Sequence, residues 1–206
     1  MRHAIIWASS AVMLTCAAAA SAAPPQLKGR YAVTGSAACL AAPGFTADLQ
    51  SLSPSPGNPV YSQSNSVLAT RTYNGDGTGS VEGREVSITT PLPGGGLSAP
   101  INGTPVPHPS ASSNDFSFAF TYNVDANGIF TTLMVPESFK GKILTGIRAG
   151  QTFTVDTLSF TGQVSGDNKI IDVATTTPDV ETVTFSDGYV RKEICHRSRV
   201  HVFLGQ

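Results

Sequence analysis

Apolar and polar residues alternate with a period of two along most of this chain, the pattern of strands that bury one face. Leu27, Tyr31 and Val33 share a face of the segment Leu27–Val33. The alternation is sharpest in Phe116–Val124, where Phe116, Phe118, Phe120 and Tyr122 fall together. Val67–Tyr73, Gly79–Thr89, Ile129–Val135, Ile170–Thr176, Val180–Phe185 and Val190–Phe203 are further strand candidates, and Thr152–Val164 reads as a strand pair or one long bent strand. Between them lie Asn74-Gly75-Asp76-Gly77, Asp125-Ala126-Asn127-Gly128, Gly166-Asp167-Asn168 and Ser186-Asp187-Gly188. These residue types tolerate the positive φ of tight turns. Ala37–Ala42 suits a helical turn ended by Pro43-Gly44, and Ser51–Pro59 reads as loop. Pro91–Asp115 holds six prolines and three consecutive glycines, so it is expected to be a long loop, either a lid or a disordered segment. About eight to ten strands at regular spacing, with no amphipathic helix, predict an all-β antiparallel sandwich or barrel.

Composition agrees with that pattern. Of 206 residues only 13% are charged, with 20 Gly and 14 Pro, and the formal net charge is −1. Strands and turns are favoured over helices. A nearly neutral chain is not built for nucleic acid or an anionic membrane surface. The first residues resemble a secretory signal: basic Arg2 and His3, the apolar run Ala4–Leu14, then Ala20-Ser21-Ala22 as an A-x-A cleavage site. Residues 1–22 are therefore read as a signal peptide and 23–206 as a single domain, secreted or periplasmic. Met13-Leu14-Thr15-Cys16 matches a lipobox only loosely, and no segment is long enough for a transmembrane helix.

Cleavage leaves Cys39 and Cys195, an even number in an oxidising compartment, and predicts a disulfide between them. Joining the first and last segments makes most sense if they meet. This favours an up-and-down barrel, whose closure also removes the free sheet edges.

The two ends carry a resemblance. Gly29-Arg30-Tyr31 resembles the G-x-W signature of lipocalins, with Tyr in place of Trp, and Arg197 or Arg199 on the last strand matches the basic residue that packs over that ring in the family. The resemblance covers a few residues at either end. It implies a lipocalin-like barrel in which Tyr31 lies beneath Arg197 or Arg199.

Few motifs point to chemistry. Asn74–Glu85 fits a calcium loop at several positions, but Asn74 and Thr78 remove charge, and the glycine-rich, β-branched surroundings favour a hairpin. On the closing strand Cys195, Arg197, Arg199 and His201 share one face and His196 the other, so the two histidines do not meet on one metal. His108 falls in the long loop, and Asn102-Gly103-Thr104 is a sequon without evident use. No nucleophile elbow, H-E-x-x-H, P-loop or C-x-x-C occurs, so no metal, cofactor or catalytic residue is assigned.

The aromatic face of Phe116, Phe118, Phe120 and Tyr122, joined by Phe130, Phe153 and Phe160, fills a core or lines a cavity; an eight-stranded barrel does either. The expectation is noncatalytic binding of a small hydrophobic ligand, with Tyr31, Phe116, Phe118, Phe120, Tyr122, Arg197 and Arg199 as the binding residues. The alternatives are a structural or surface-interaction protein with a packed core, and a small barrel enzyme using Arg and His at the mouth.

Overall fold

The computed structural model describes residues 26–53, 60–92 and 109–206. Residues 1–22, read as a signal peptide, with Cys16, His108, the sequon and most of the loop 91–115, lie outside the described residues.

The alternation becomes eleven strands: β1 Lys28–Ala42, β2 Tyr61–Asn74, β3 Thr78–Pro91, β4 Ser110–Val124, β5 Ile129–Met134, β6 Lys140–Thr145, β7 Thr152–Val155, β8 Ser159–Val164, β9 Ile170–Ala174, β10 Glu181–Phe185 and β11 Val190–Gly205. No helix occurs among the described residues. Strands β1 to β4 run as a simple antiparallel meander. Beyond it, β5 pairs with the Phe120–Val124 half of β4 and β6 with the Ser113–Ser117 half. In the same way β8 and β7 lie beside β5 and β6, β9 beside β8, and β10 beside β7. Strand β11 then takes β10 along Val190–Glu193 and β9 along Ser198–Val202. Each of β5–β6, β7–β8 and β9–β10 thus acts as one long strand broken in the middle, and β11 pairs with β1 to complete a barrel-like ring of eight.

The breaks have local causes. Pro136 between β5 and β6 and Pro178 between β9 and β10 lack the N–H that a continuous ladder requires. At the first break Glu137 adopts φ 62°, and the Ser138 hydroxyl donates to the Val135 carbonyl at 2.6 Å. At the second, the Asp156 carboxylate accepts from the Thr182 amide at 2.7 Å, holding β10 beside β7.

Three expectations from the sequence change. Ala37–Ala42 is the end of β1, not a helical turn: pairing on both sides, with β2 and β11, overrides the helical preference of alanine. Ser110–Asp115 belongs to β4, and Pro91 ends β3, so the loop is shorter than 91–115. Strand β6 is not among the strand candidates read from the sequence. Thr152–Val164, open between a strand pair and one bent strand, is two strands laid end to end, β7 beside β6 and β10 and β8 beside β5 and β9.

Odd-numbered side chains of β1, β2, β3 and β11 and even-numbered ones of β4 point inward. Leu27, Tyr31, Tyr73, Phe120, Phe130 and Ile171 are almost wholly buried and pack one end of the ring solid. Tyr73 lies edge-on to Tyr31, Phe120 and Tyr122 at 5.0–5.4 Å. The Tyr31 hydroxyl donates to the Asn168 carbonyl and the Tyr122 hydroxyl to the Leu27 carbonyl, each at 2.6 Å, so the buried phenols are satisfied.

Cys39 and Cys195 stand directly opposite in the β1–β11 register, with Cα atoms 4.0 Å apart, and are bonded. No helix of the described residues is long and apolar enough to cross a membrane.

Candidate functional site

Above the packed aromatic end the ring holds a partly open cavity of about 130 Å³. Its walls differ in chemistry. On the side of β4, β7, β8 and β10 stand Phe116, Phe118, Phe153, Phe160 and Phe185, with Phe139 from the β5–β6 break. Phe116, Phe118 and Phe139 stack nearly parallel with centroids 5.7–6.3 Å apart, and Phe139 continues through Phe153 to Phe185. The side of β2, β3 and β11 presents Arg71, Glu85, Arg191, Glu193, Arg197, Arg199 and His201.

Most of the charges on that wall are paired. Arg197 grips Glu181 of β10 with both ends of its guanidinium, Nη2 donating to Oε2 at 2.6 Å. Glu193 lies 2.7 Å from Arg191 and 3.9 Å from Arg197. Arg191 also donates to the Tyr61 hydroxyl at 3.2 Å. The chain Arg191–Glu193–Arg197–Glu181 therefore neutralises itself inside the ring, as buried charge must. Burial pushes the Glu181 carboxyl up to about 7, against the pull of Arg197. The bidentate contact keeps the pair ionised above that, and the same carboxylate raises Arg197 against the cost of its own burial.

Arg71 and Arg199 stand apart from this chain. Arg71 is 4% exposed. It stacks on Phe120 at 3.8 Å from the ring centroid and donates to the Thr132 hydroxyl at 3.0 Å. Its Nε–H has no partner among the described residues. Among the described residues the Arg199 side chain makes one hydrogen bond, to the Ser36 carbonyl at 3.3 Å. Burial and the fields of Arg197 and Arg71 push it down to about 10. Glu85 faces the same cavity, accepts from the Ser87 hydroxyl at 3.0 Å and is raised by burial. His201, 1% exposed, shares a 3.0 Å hydrogen bond between its Nδ1 and the Tyr73 hydroxyl. Burial, then the charges of Arg71 and Arg199, hold its pKa well below the usual histidine range.

Of the residues expected to bind ligand, Phe116, Phe118, Arg197 and Arg199 line the cavity. Tyr31, Phe120 and Tyr122 belong to the packed end instead, where their rings contact Tyr73. The expected contact of Tyr31 with Arg197 or Arg199 is not made. Register explains this: Tyr31 faces Phe203, whereas Arg199 and Arg197 face Gly35 and Ala37 farther along β1. Arg71, the β2 partner of Tyr31, sits over Phe120 instead, while Arg148 and Arg191 sit over Phe185.

Arg71, Glu181, Arg191, Glu193 and Phe139 were not singled out from the sequence, and Glu85 was singled out only as the last position of the calcium-loop pattern. Period two was the available signal: Arg71 follows Val67 and Ala69 on the inward face, Glu85 follows Val81, and Glu181 precedes Val183 and Phe185. A charged residue in such a series is a buried charge in need of a partner. The hairpin reading of Asn74–Glu85 holds. Asp76 accepts from the Thr78 amide and hydroxyl, while Glu85 lies down β3 facing the cavity. Cys39, Cys195 and Glu193 cluster, but both sulfurs are consumed by the disulfide. Comparison with protein-family models, with curated proteins and with solved structures finds no match to this chain.

Proposed function

We propose that this protein is a noncatalytic binder that takes a small, largely apolar molecule into the interior of its ring of strands. The observation that carries the reading is the cavity of about 130 Å³ against an aromatic wall. That size is near the ~150 Å³ apolar cavity that holds benzene. The disulfide suits an oxidising compartment, which together with the signal-like leader supports secretion or export to a periplasm. The lipocalin-like resemblance enters through architecture: Tyr31 lies on the opening strand, paired with the closing one.

Xenon or benzene titrated into the isotope-labelled protein should give saturable shifts at Phe116, Phe118 and Val81, all cavity-lining. Val67→Phe, which fills the cavity from β2, should abolish them. Absence of saturable shifts in the unsubstituted protein would sink the reading.

A second reading, a small barrel enzyme, draws on Arg197 and Glu181 meeting inside the ring. A carboxyl raised to about 7 is suited to proton transfer near neutrality. It requires a substrate whose turnover Glu181→Gln removes while its binding persists.

A further inference from the structure

The charged wall carries an unbalanced element. The paired chain uses Arg191 and Arg197 against Glu193 and Glu181. What remains facing the cavity is Arg71 and Arg199 against Glu85 alone. Neither arginine makes an ion pair among the described residues, whose ion pairs all involve other cations. A guanidinium offers five donors, and a buried one left short of acceptors is costly. Arg71 spends one on Thr132 and leaves Nε–H without a partner. The stack on Phe120 fixes the plane of its fork while the side chain lines the cavity. Arg199 reaches the same space from the other side of β1. Its side chain passes over Gly35, where any Cβ would lie 3.0 Å from Arg199 Cδ. The glycine leaves the room the arginine occupies.

We infer that Arg71 and Arg199 hold the carboxylate of a small aromatic or apolar acid whose body lies against Phe116, Phe118 and Phe139. A carboxylate matches the planar fork of arginine in two-point contact. It would supply the charge that the wall lacks, while the apolar body meets rings on the opposite side. Of the two carboxylates that line the same space, Glu193 is paired with Arg191 and Glu85 keeps its own donor in Ser87. His201 adds a ring without charge, tied to Tyr73.

This assignment rests on the cavity being a ligand site, so the test separates the two. Two probes of similar size, 4-fluorobenzoate and the neutral 4-fluorobenzyl alcohol, are titrated into the full-length protein and followed by fluorine NMR. The acid should bind at least ten-fold more tightly than the alcohol. Arg71→Met should weaken the acid at least ten-fold and leave the alcohol within two-fold. Equal binding of the two probes by the unsubstituted protein overturns the carboxylate site while leaving the apolar cavity intact. Binding of neither removes both. If Arg71→Met does not fold, Arg199→Gln carries the test, because it leaves the stack on Phe120 in place. It should weaken the acid at least three-fold, and an unchanged preference for the acid overturns the assignment.

Discussion

Single side chains inside the ring carry large energies because water cannot shield them. Arg197 and Glu181 are both nearly buried and grip each other at two points. Replacing Arg197 with Met strands the carboxylate and should cost about 3–5 kcal/mol in urea denaturation at pH 8, whereas adding Glu181→Leu should recover most of that loss. Full stability in Arg197→Met alone would show that the carboxylate finds another partner. His201 gives a pH signature. In the fold it stays neutral well below the ordinary value of 6.5, because charging it would place a cation beside Arg71 and Arg199. The unfolded chain takes up a proton below about 6.5, so stability is present above that pH and drains away as pH falls. Relative to His201→Gln, the unsubstituted protein should lose about 2 kcal/mol between pH 7.5 and 5. Parallel pH profiles for the two proteins would mean that His201 titrates freely. Glu181, raised by burial, contributes in the opposite sense, losing stability as pH rises towards 7, and the comparison with His201→Gln removes that shared contribution.

At the scale of elements, alternation made the strands legible and neighbours decided the exceptions. Phe116–Val124 and Val190–Phe203 announce themselves because every second residue is large or charged on one face. Lys140–Thr145 does not, since lysines alternate with Gly141 and Ile143 and the segment is short; what makes it a strand is β4 on one side and β7 on the other. Ala37–Ala42 is a strand for the same reason. Small residues on β1 follow from the geometry of closure. Gly35 lies where β1 and β11 approach so closely that an added Cβ would run into the Ser198 carbonyl oxygen and lie 2.9 Å from Arg199 Cα. Both obstacles are backbone, so the strand itself would have to move. Gly35→Ala should therefore lower stability by about 1–3 kcal/mol, seen as a lower denaturation midpoint with an unchanged m-value. A neutral result would mean that the β1–β11 seam yields easily at this point.

For the whole molecule, the candidate site was half legible. The aromatic wall could be read from a single strand, because Phe116 and Phe118 recur with the period of the pleat. Of the charged wall only Arg197 and Arg199, both on β11, could be read in the same way, because Arg71 on β2 and Glu85 on β3 reach the same space only when the ring closes. Closure depends on the β1–β11 seam, which runs in register from Tyr31 opposite Phe203 to Ala42 opposite Lys192. The disulfide sits towards the end of that seam farther from the aromatic cluster, beside the paired charges of Glu193 and Arg197. It ties residues 156 positions apart. In the chain-entropy account a loop of that length is worth on the order of 5 kcal/mol, because the open chain loses most of its freedom when its ends are joined. The tie does not create the seam, whose backbone pairs extend well past it towards Tyr31. Replacing both cysteines with alanine should therefore leave the circular dichroism spectrum strand-rich while lowering the unfolding free energy by several kcal/mol. Amide exchange in the pairs near Cys39 and Cys195 should quicken more than that near Tyr31 and Phe203, where packed aromatic rings hold the strands together. Equal acceleration at both ends would show that the ring opens as one unit, and an unchanged denaturation midpoint would show that seam and core close it without the bond.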